Sequence, residues 1–163
     1  MKKVLVVMGS DSDLKVMEKC VDRLKSFDIP TEVRICSAHR TPAVAEQLAK
    51  NAAAEGFGVI IAAAGKAAHL GGVLAAYTTL PVIGVPMATS VMGGMDSLLS
   101  IVQMPKGIPV ATVAIDGADN AAILAAQMIA LSDDALAQKL AQFKADMAAE
   151  GTAKDEKVRA QFA

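Results

Sequence analysis

At 163 residues the chain is long enough for one domain with a buried core, and no stretch of it has the composition of an interdomain linker. A formal net charge of -1 and an aromatic content of 3% argue against a nucleic-acid-binding surface. No apolar run reaches the roughly 20 residues of a transmembrane helix, and the run after Met1 is too short for a signal peptide, so we expect a cytoplasmic protein with a small ligand.

Short apolar runs alternate along the chain with segments of helical periodicity. The runs predict β-strands over 3–9, 31–36, 58–64, 82–85 and 109–115. The segments between them predict helices over about 12–26, 42–55, 67–77 and 94–103. Because the strands are almost continuously apolar, both faces of the sheet should be covered, and the order predicts a three-layer α/β fold with a parallel sheet.

The last third of the chain is more apolar than one small domain can cover. Residues 120–131 are apolar almost all round, as in a helix buried on every side. A second helix after Asp133 carries one apolar stripe, formed by Leu136, Leu140, Phe143 and Met147. These helices predict a symmetric oligomer, and the alternative is a monomer whose many alanines raise the hydrophobic content to 53%. We expect the polar tail, 151–163, either to fray or to cover a neighbouring subunit.

The two cysteines carry no metal or redox motif. Cys20 falls in a predicted helix and Cys36 in a predicted strand, without CxxC spacing or a second cluster of ligands. We therefore expect two buried free thiols and no metal site.

Three loops that follow predicted strands hold the polar residues that suggest chemistry. Loops at the carboxyl ends of parallel strands form the ligand crevice of such folds, so these loops should lie together. In the first loop, Ser10 and Ser12 precede a helix N-terminus, where free amides favour an anion. Asp13 suits sugar hydroxyls better than phosphate. The alternative is a simple helix cap, with the side-chain oxygens of residues 10–13 as the capping groups.

The second loop combines a hydroxyl, an imidazole and a guanidinium before a helix. Arg40 and Ser37 are suited to holding a phosphate, which leaves His39 free for proton transfer. Thr41 and Pro42 match a helix cap followed by proline at the first helical position. The alternative is that His39 and Arg40 are ordinary structural or surface residues.

The third loop, 62–72, is rich in small residues, as a backbone must be where it approaches a ligand closely. It contains His69, the second of only two histidines in the chain. Its spacing is neither GxxxxGK[ST] nor GxGxxG. GxSxG and HExxH are also absent from the chain, so proton transfer on a bound phosphorylated metabolite is the favoured chemistry.

Several motifs occur together in a fixed order along the chain. They are Met8-Gly9-Ser10-x-Ser12-Asp13, Ser37-Ala38-His39-Arg40-Thr41-Pro42, Ala67-Ala68-His69-Leu70, the run from Asp96 to Pro105, and Asn120-Ala121-Ala122. This set resembles the 5-(carboxyamino)imidazole ribonucleotide mutase family of purine biosynthesis. The resemblance covers about residues 3–131, which leaves the C-terminal helix and tail, 132–163, outside it.

The resemblance implies a flavodoxin-like αβα subunit with extra C-terminal helices, assembled as a homo-octamer and acting without metal or cofactor. It implies one domain over 1–163 that moves a carboxylate from the exocyclic nitrogen of the substrate to a ring carbon. In this reaction carbon dioxide is released and recaptured in a closed pocket. One imidazole can both give and take the single proton required, since both of its protonation states exist near neutral pH.

Carried over residue by residue, the resemblance makes His39 the proton shuttle. Ser10, Asp13 and Arg40 match the nucleotide-contacting positions, and His69 lines the same pocket. The further contacts expected from the three loops are Ser12, Ser37, Ala38, Gly65, Lys66, Ala67 and Leu70.

The third loop departs from the family pattern, which usually reads AGAGGAAHLPG. Lys66 replaces a glycine and Gly71 replaces a proline. If that glycine is left-handed, lysine would cost about 1 kcal/mol or more there. We expect the Lys66 side chain to point to solvent, and the alternative is an added cation facing the substrate carboxylate.

Two other functions fit the residues. Animal-type relatives carboxylate aminoimidazole ribonucleotide directly and lack the histidine of the AAHL motif, so His39 and His69 together favour the mutase. A non-catalytic nucleotide-binding module is the alternative from another class, because flavodoxin-like folds also serve as carriers and regulators.

Overall fold

Five parallel strands form one sheet in the order β2-β1-β3-β4-β5, in a computed structural model that describes residues 1–163. The strands are β1 (Lys3–Met8), β2 (Thr31–Ile35), β3 (Phe57–Ala64), β4 (Val82–Pro86) and β5 (Ala111–Thr112). This order is the flavodoxin-like one, so the predicted three-layer α/β architecture is confirmed.

The fifth strand is much shorter than the predicted range of 109–115. Only Ala111 and Thr112 pair with β4, opposite Ile83 and Gly84. Pro109 has no amide hydrogen, so it cannot donate a hydrogen bond to β4. At the other end, Asp116 adopts a positive φ of 55° and turns the chain towards the next helix.

Six helices surround the sheet. They are α1 (Leu14–Ser26), α2 (Pro42–Asn51), α3 (Leu70–Tyr77), α4 (Met95–Val102), α5 (Ala118–Ala130) and α6 (Asp134–Gln161), with a 3-10 turn over Asp11–Asp13 before α1. Two predicted bounds are wrong: α2 ends at Asn51 rather than near 55, and α3 begins at Leu70 rather than 67. Residues 67–69 form tight turns instead of a helical turn, because the Ala68 N–H donates to the Lys66 carbonyl at 2.8 Å and the His69 N–H to the Ala67 carbonyl at 2.9 Å.

The helix starts differ in how they are capped. The Ser10 hydroxyl accepts a hydrogen bond from the backbone N–H of Ser12 at 3.3 Å, so the predicted cap is confirmed there. Pro42 occupies the start of α2 as predicted, but Thr41 makes no side-chain cap. Its hydroxyl donates instead to the Ser37 carbonyl at 2.9 Å, which tightens the second loop.

Each face of the sheet has its own apolar core, because successive strand residues point to opposite faces. Val4 and Val6 pack with α1, α5 and the start of α6. Leu5 and Val7 pack with α2, α3 and Ile101 of α4. The strands β1, β3 and β4 are therefore covered on both sides, as their apolar residues predict, whereas the edge strand β2 leaves Val33 and Ile35 exposed.

The two C-terminal helices differ in burial. Six residues of α5 are buried, whereas α6 buries only Leu136 and Leu140. Phe143 packs edge-on against Phe27 with the ring centroids 5.6 Å apart, and Met147 is 49% exposed. The predicted apolar stripe of α6 is thus covered only in its first half within one chain. The tail continues as helix to Gln161 and is exposed.

Both cysteines are free and buried, as predicted. Burial raises the pKa of the Cys20 thiol to about 12, with a smaller contribution from the charge of Asp119. No helix is both long enough and apolar enough to span a membrane.

Candidate active site

The topology leaves a crevice between β1 and β3. These strands are neighbours, but the chain leaves β1 towards α1 on one face and leaves β3 towards α3 on the other. In open α/β sheets, ligands bind at the carboxyl edge where the connections diverge in this way. The crevice is therefore the place in the fold where a ligand site is expected.

A cavity of about 400 Å³ lies at this edge, and the three loops of the sequence analysis line it. Such a volume falls within the usual range for small-molecule sites. The cavity brings together all of the residues predicted for the site, which are Ser10, Ser12, Asp13, Ser37, Ala38, His39, Arg40, Gly65, Lys66, Ala67, His69 and Leu70. Their individual roles stay predictions.

The first loop presents a partly buried carboxylate beside two hydroxyls. Ser12 Oγ donates to the Asp13 carboxylate at 3.4 Å. Burial raises the pKa of Asp13, and the hydrogen bonds from Ser10 and Ser12 oppose that rise. A carboxylate that has lost part of its hydration gains most from new donors such as sugar hydroxyls.

The second loop is a hydrogen-bonded turn that projects its polar side chains outwards. Ser37 Oγ accepts the backbone N–H of Arg40 at 3.2 Å, and the Thr41 N–H donates to the Ser37 carbonyl at 2.8 Å. His39 and Arg40 are exposed, and Arg40 forms no ion pair within the chain. The Arg40 guanidinium is thus available to an anionic ligand.

The third loop is held by α4. The Lys66 N–H donates to Ser97 Oγ at 2.9 Å, and Ser97 is fully buried. Ser100 Oγ contacts the Lys66 carbonyl at 3.3 Å and donates to the Asp96 carbonyl at 2.7 Å. These contacts stabilise the left-handed conformation of Lys66, whose φ is 58°. Its side chain is exposed, makes no ion pair and belongs to the cavity lining, so both predicted orientations stay predictions.

The two histidines are in direct contact. His39 Nε2 lies 2.7 Å from His69 Nδ1, and the ring centroids are 4.8 Å apart with the planes at 79°. His69 is the residue before α3, and its backbone is held by hydrogen bonds to the Ala67 carbonyl and from the Val73 N–H, both at 2.9 Å. The fold thus places the imidazoles of two separate loops side by side at one cavity.

A fourth loop also lines the cavity, and the sequence analysis did not predict it. It follows β4 and contributes Met87, Ala88, Thr89 and Ser90; Gly9 and Ala64 complete the lining. Asp116 anchors this loop, because its carboxylate accepts the Ala88 N–H at 2.9 Å. The signal available in the sequence was the pair Thr89-Ser90 directly after an apolar strand, since β4 ends at the same edge as β1 and β3.

The site combines the groups that a phosphorylated sugar needs with groups that transfer protons. Arg40 and Lys66 supply cationic charge, Asp13 accepts hydrogen bonds, and the two imidazoles can give or take a proton. No group of three or more His, Cys, Asp or Glu side chains is arranged to hold a metal ion.

Comparisons with known proteins agree on one family. The AIR carboxylase family matches residues 3–150. The N5-carboxyaminoimidazole ribonucleotide mutase of Methanocaldococcus jannaschii is 52% identical over 159 residues, which cover 98% of this chain and 99% of that protein. The chloroplastic phosphoribosylaminoimidazole carboxylase of Vigna aconitifolia is 51% identical over 140 residues, which cover 86% of this chain but 25% of that protein.

A solved structure shares the fold over almost the whole chain. The crystal structure of Treponema denticola PurE superposes with a TM-score of 0.87 at 30% sequence identity, covering 94% of this chain and 96% of that one. Sequence and structure therefore lead to the same assignment: the chain belongs to the AIR carboxylase family.

Proposed function

We propose that this chain is a 5-(carboxyamino)imidazole ribonucleotide mutase, whose activity lies in the single domain 1–163. The observation that carries the proposal is the contact between His39 and His69 at a cavity that Arg40 also lines. It is supported by the 52% identity to a relative that bears this name over nearly its full length.

The three loops divide substrate binding between them. Arg40 and Ser37 hold the phosphate, since a guanidinium and a hydroxyl are both donors to phosphate oxygens. Asp13 accepts hydrogen bonds from the ribose hydroxyls, and Ser10 and Ser12 contribute further polar contacts. The backbone and small side chains of the third loop enclose the imidazole and the migrating carboxylate. These residues are Gly65, Lys66, Ala67, His69 and Leu70, and Ala38 of the second loop lines the same cavity.

The reaction exchanges one proton for one carboxylate at two atoms of the substrate. The bond between the exocyclic nitrogen and its carboxylate breaks, carbon dioxide leaves, and protonated His39 gives its proton to that nitrogen. The ring carbon then attacks the carbon dioxide, and His39 takes the proton that this carbon carried. The proton on His39 is thus restored at the end of each turnover, and the substrate is isomerised without net gain or loss of atoms.

Assembly as a homo-octamer in the cytoplasm is part of the same proposal. Support comes from apolar side chains that one chain leaves uncovered, including Ile35 on the edge strand at 57% exposed and Met147 on α6 at 49%. Sedimentation or light scattering should give eight times the chain mass of 16.8 kDa. A monomeric mass would contradict this part of the proposal.

The decisive experiment supplies each nucleotide separately. Purified protein is incubated with 5-(carboxyamino)imidazole ribonucleotide in buffer freed of bicarbonate, and formation of the 4-carboxylate is followed by absorbance. We expect turnover that is lost in His39→Asn. Consumption of aminoimidazole ribonucleotide with added bicarbonate, without consumption of the carboxyamino compound, would overturn the mutase assignment.

Direct carboxylation of aminoimidazole ribonucleotide is the second candidate. One observation favours it, the 51% identity to the Vigna aconitifolia protein named as a carboxylase. The same incubation separates the two functions, because only the direct reaction requires added bicarbonate. Nucleotide binding without turnover of either compound would instead indicate a non-catalytic module.

A further inference from the structure

The contact between the two imidazoles restricts where their protons can be. At 2.7 Å, His39 Nε2 and His69 Nδ1 can share one hydrogen, with one nitrogen donating and the other accepting. Two N–H groups cannot face each other at this distance. The ring nitrogens outside the contact, His39 Nδ1 and His69 Nε2, have no hydrogen-bond partner within the chain.

Only one direction of this hydrogen bond leaves His39 able to act as a base. If His69 Nδ1 donates, neutral His39 carries its own proton on Nδ1 and its only lone pair is occupied by the contact. If His39 Nε2 donates, neutral His39 keeps a free lone pair on Nδ1. In this second arrangement the contact also persists when Nδ1 takes up a proton, because Nε2–H remains a donor in the imidazolium.

We propose that His69 is the positioning residue for proton transfer, accepting a hydrogen bond from His39 Nε2–H throughout the cycle and so making His39 Nδ1 the nitrogen that exchanges the proton with substrate. This inference rests on the proposed function and deepens it. His69 suits the task because hydrogen bonds of its backbone N–H and carbonyl hold it before α3, and its ring takes no part in capping that helix.

The arrangement also limits the charge of the pair. A proton added to His69 converts Nδ1 from an acceptor to a donor, so the contact with His39 Nε2–H breaks. The active pair therefore carries one positive charge at most. The other charged groups lining the cavity are Asp13, Arg40 and Lys66, and they stay the same in every variant compared below.

The first test compares two substitutions at one position. In His69→Asn the amide oxygen can replace Nδ1 as the acceptor, whereas His69→Leu has no acceptor. We expect His69→Leu to lower kcat by at least about 100-fold, the lower end of what positioned acid–base groups contribute, and to change KM by much less, since His69 is only one of the residues that enclose the substrate. We expect His69→Asn to retain kcat within about tenfold of the wild type.

The pH profile provides a readout that a purely structural role would not change. In the wild type, kcat should fall on the acid side as His69 becomes protonated and the contact breaks. Asparagine cannot take up that proton, so in His69→Asn this fall should move to lower pH. Three results would each overturn the proposal: equal losses of kcat in both folded variants, full activity of His69→Leu, or a rise in KM alone.

A second test does not depend on turnover. The chain has only two histidines, so ¹⁵N NMR of the substrate-free protein can resolve their ring nitrogens, with His39→Asn assigning the signals. We expect His69 Nδ1 and His39 Nδ1 to be unprotonated in the neutral pair, and a protonated His69 Nδ1 would overturn the proposal. If the wild type turns over neither nucleotide, the proposed function fails, but these signals still decide the direction of the hydrogen bond.

Discussion

Within one chain, the loops at the carboxyl edge of the sheet form a cavity, whereas the C-terminal helix α6 leaves part of its apolar stripe exposed. At the carboxyl edge, loops after β1, β2, β3 and β4 meet around one cavity, and hydrogen bonds such as that from Lys66 N–H to Ser97 Oγ hold them in place. In α6, Leu136 is fully buried, yet Met147 on the same stripe is 49% exposed.

This contrast shows that the residues proposed to act in the reaction and the residues that stabilise the fold lie in different regions of the chain. Several polar residues of the edge, among them Ser12, His39 and Arg40, are exposed, and the buried strands beneath them provide the packing energy. The start of α6 contributes packing energy but no residue to the cavity. Substitutions at the edge should therefore change turnover, and substitutions at the start of α6 should change stability.

The largest expected effect is on turnover, in His39→Asn. We expect kcat to fall by about 10²- to 10⁴-fold, the usual contribution of a positioned acid–base group. Because the ring is exposed, the free energy of unfolding should change by less than about 0.5 kcal/mol. Steady-state kinetics and urea denaturation of the same preparation measure both quantities. A large loss of stability would mean that the edge also supports the fold.

The opposite behaviour is expected for Leu136→Ala. Removing this fully buried side chain should lower the free energy of unfolding by about 2–5 kcal/mol, through lost burial and the cavity left behind. Urea denaturation is again the measurement, and exposed Gln138 in the same helix gives the control variant Gln138→Ala. If the two variants are equally stable, α6 is not part of the core of the single chain.

Asp13→Asn should affect binding and stability in opposite directions. Loss of a charged acceptor for sugar hydroxyls should raise KM by about 10- to 100-fold. Stability should increase at neutral pH, because burial raises the pKa of Asp13 and so disfavours its charged form in the folded protein. That gain should shrink as the pH falls through the raised pKa, where the wild-type carboxyl is neutral as well.

The matched control for this prediction is Asp11→Asn, in the same loop but outside the cavity lining. Its KM should equal that of the wild type. Denaturation of both variants at neutral and acidic pH checks the sign of the stability change. An Asp13→Asn protein that is less stable than the wild type at neutral pH would show that the charge of Asp13 stabilises the fold.

The smallest effect is expected for Lys66→Gly. Glycine adopts the φ of 58° without the clash that a Cβ introduces, so the variant should be more stable by about 1 kcal/mol. Turnover should stay within about tenfold, because we expect the lysine side chain to point to solvent rather than to the substrate carboxylate. Lys66→Ala removes the charge but keeps the Cβ, so it should show no gain in stability. A greater loss of turnover in both variants would assign the charge of Lys66 to the transition state.

Much of the site could be predicted from the sequence because its residues are grouped in short loops after apolar strands. His39 and Arg40 are adjacent in the chain, and the parallel order brings their loop to the same edge as the one with His69. The lining contributed by Thr89 and Ser90 was missed, since two common polar residues after a strand carry little signal alone. The start of α3 was also misplaced, because Ala67 and Ala68 favour a helix by composition, whereas the structure holds them in tight turns.

The pattern of apolar runs by itself determined the parallel three-layer fold, because strands buried on both faces must be apolar and each crossover needs a helix. The tertiary structure alone decided that His39 Nε2 lies against His69 Nδ1 and that buried Ser97 holds the Lys66 turn. These contacts join residues about 30 positions apart, and their distances depend on how loops from different strands pack, which no local pattern encodes.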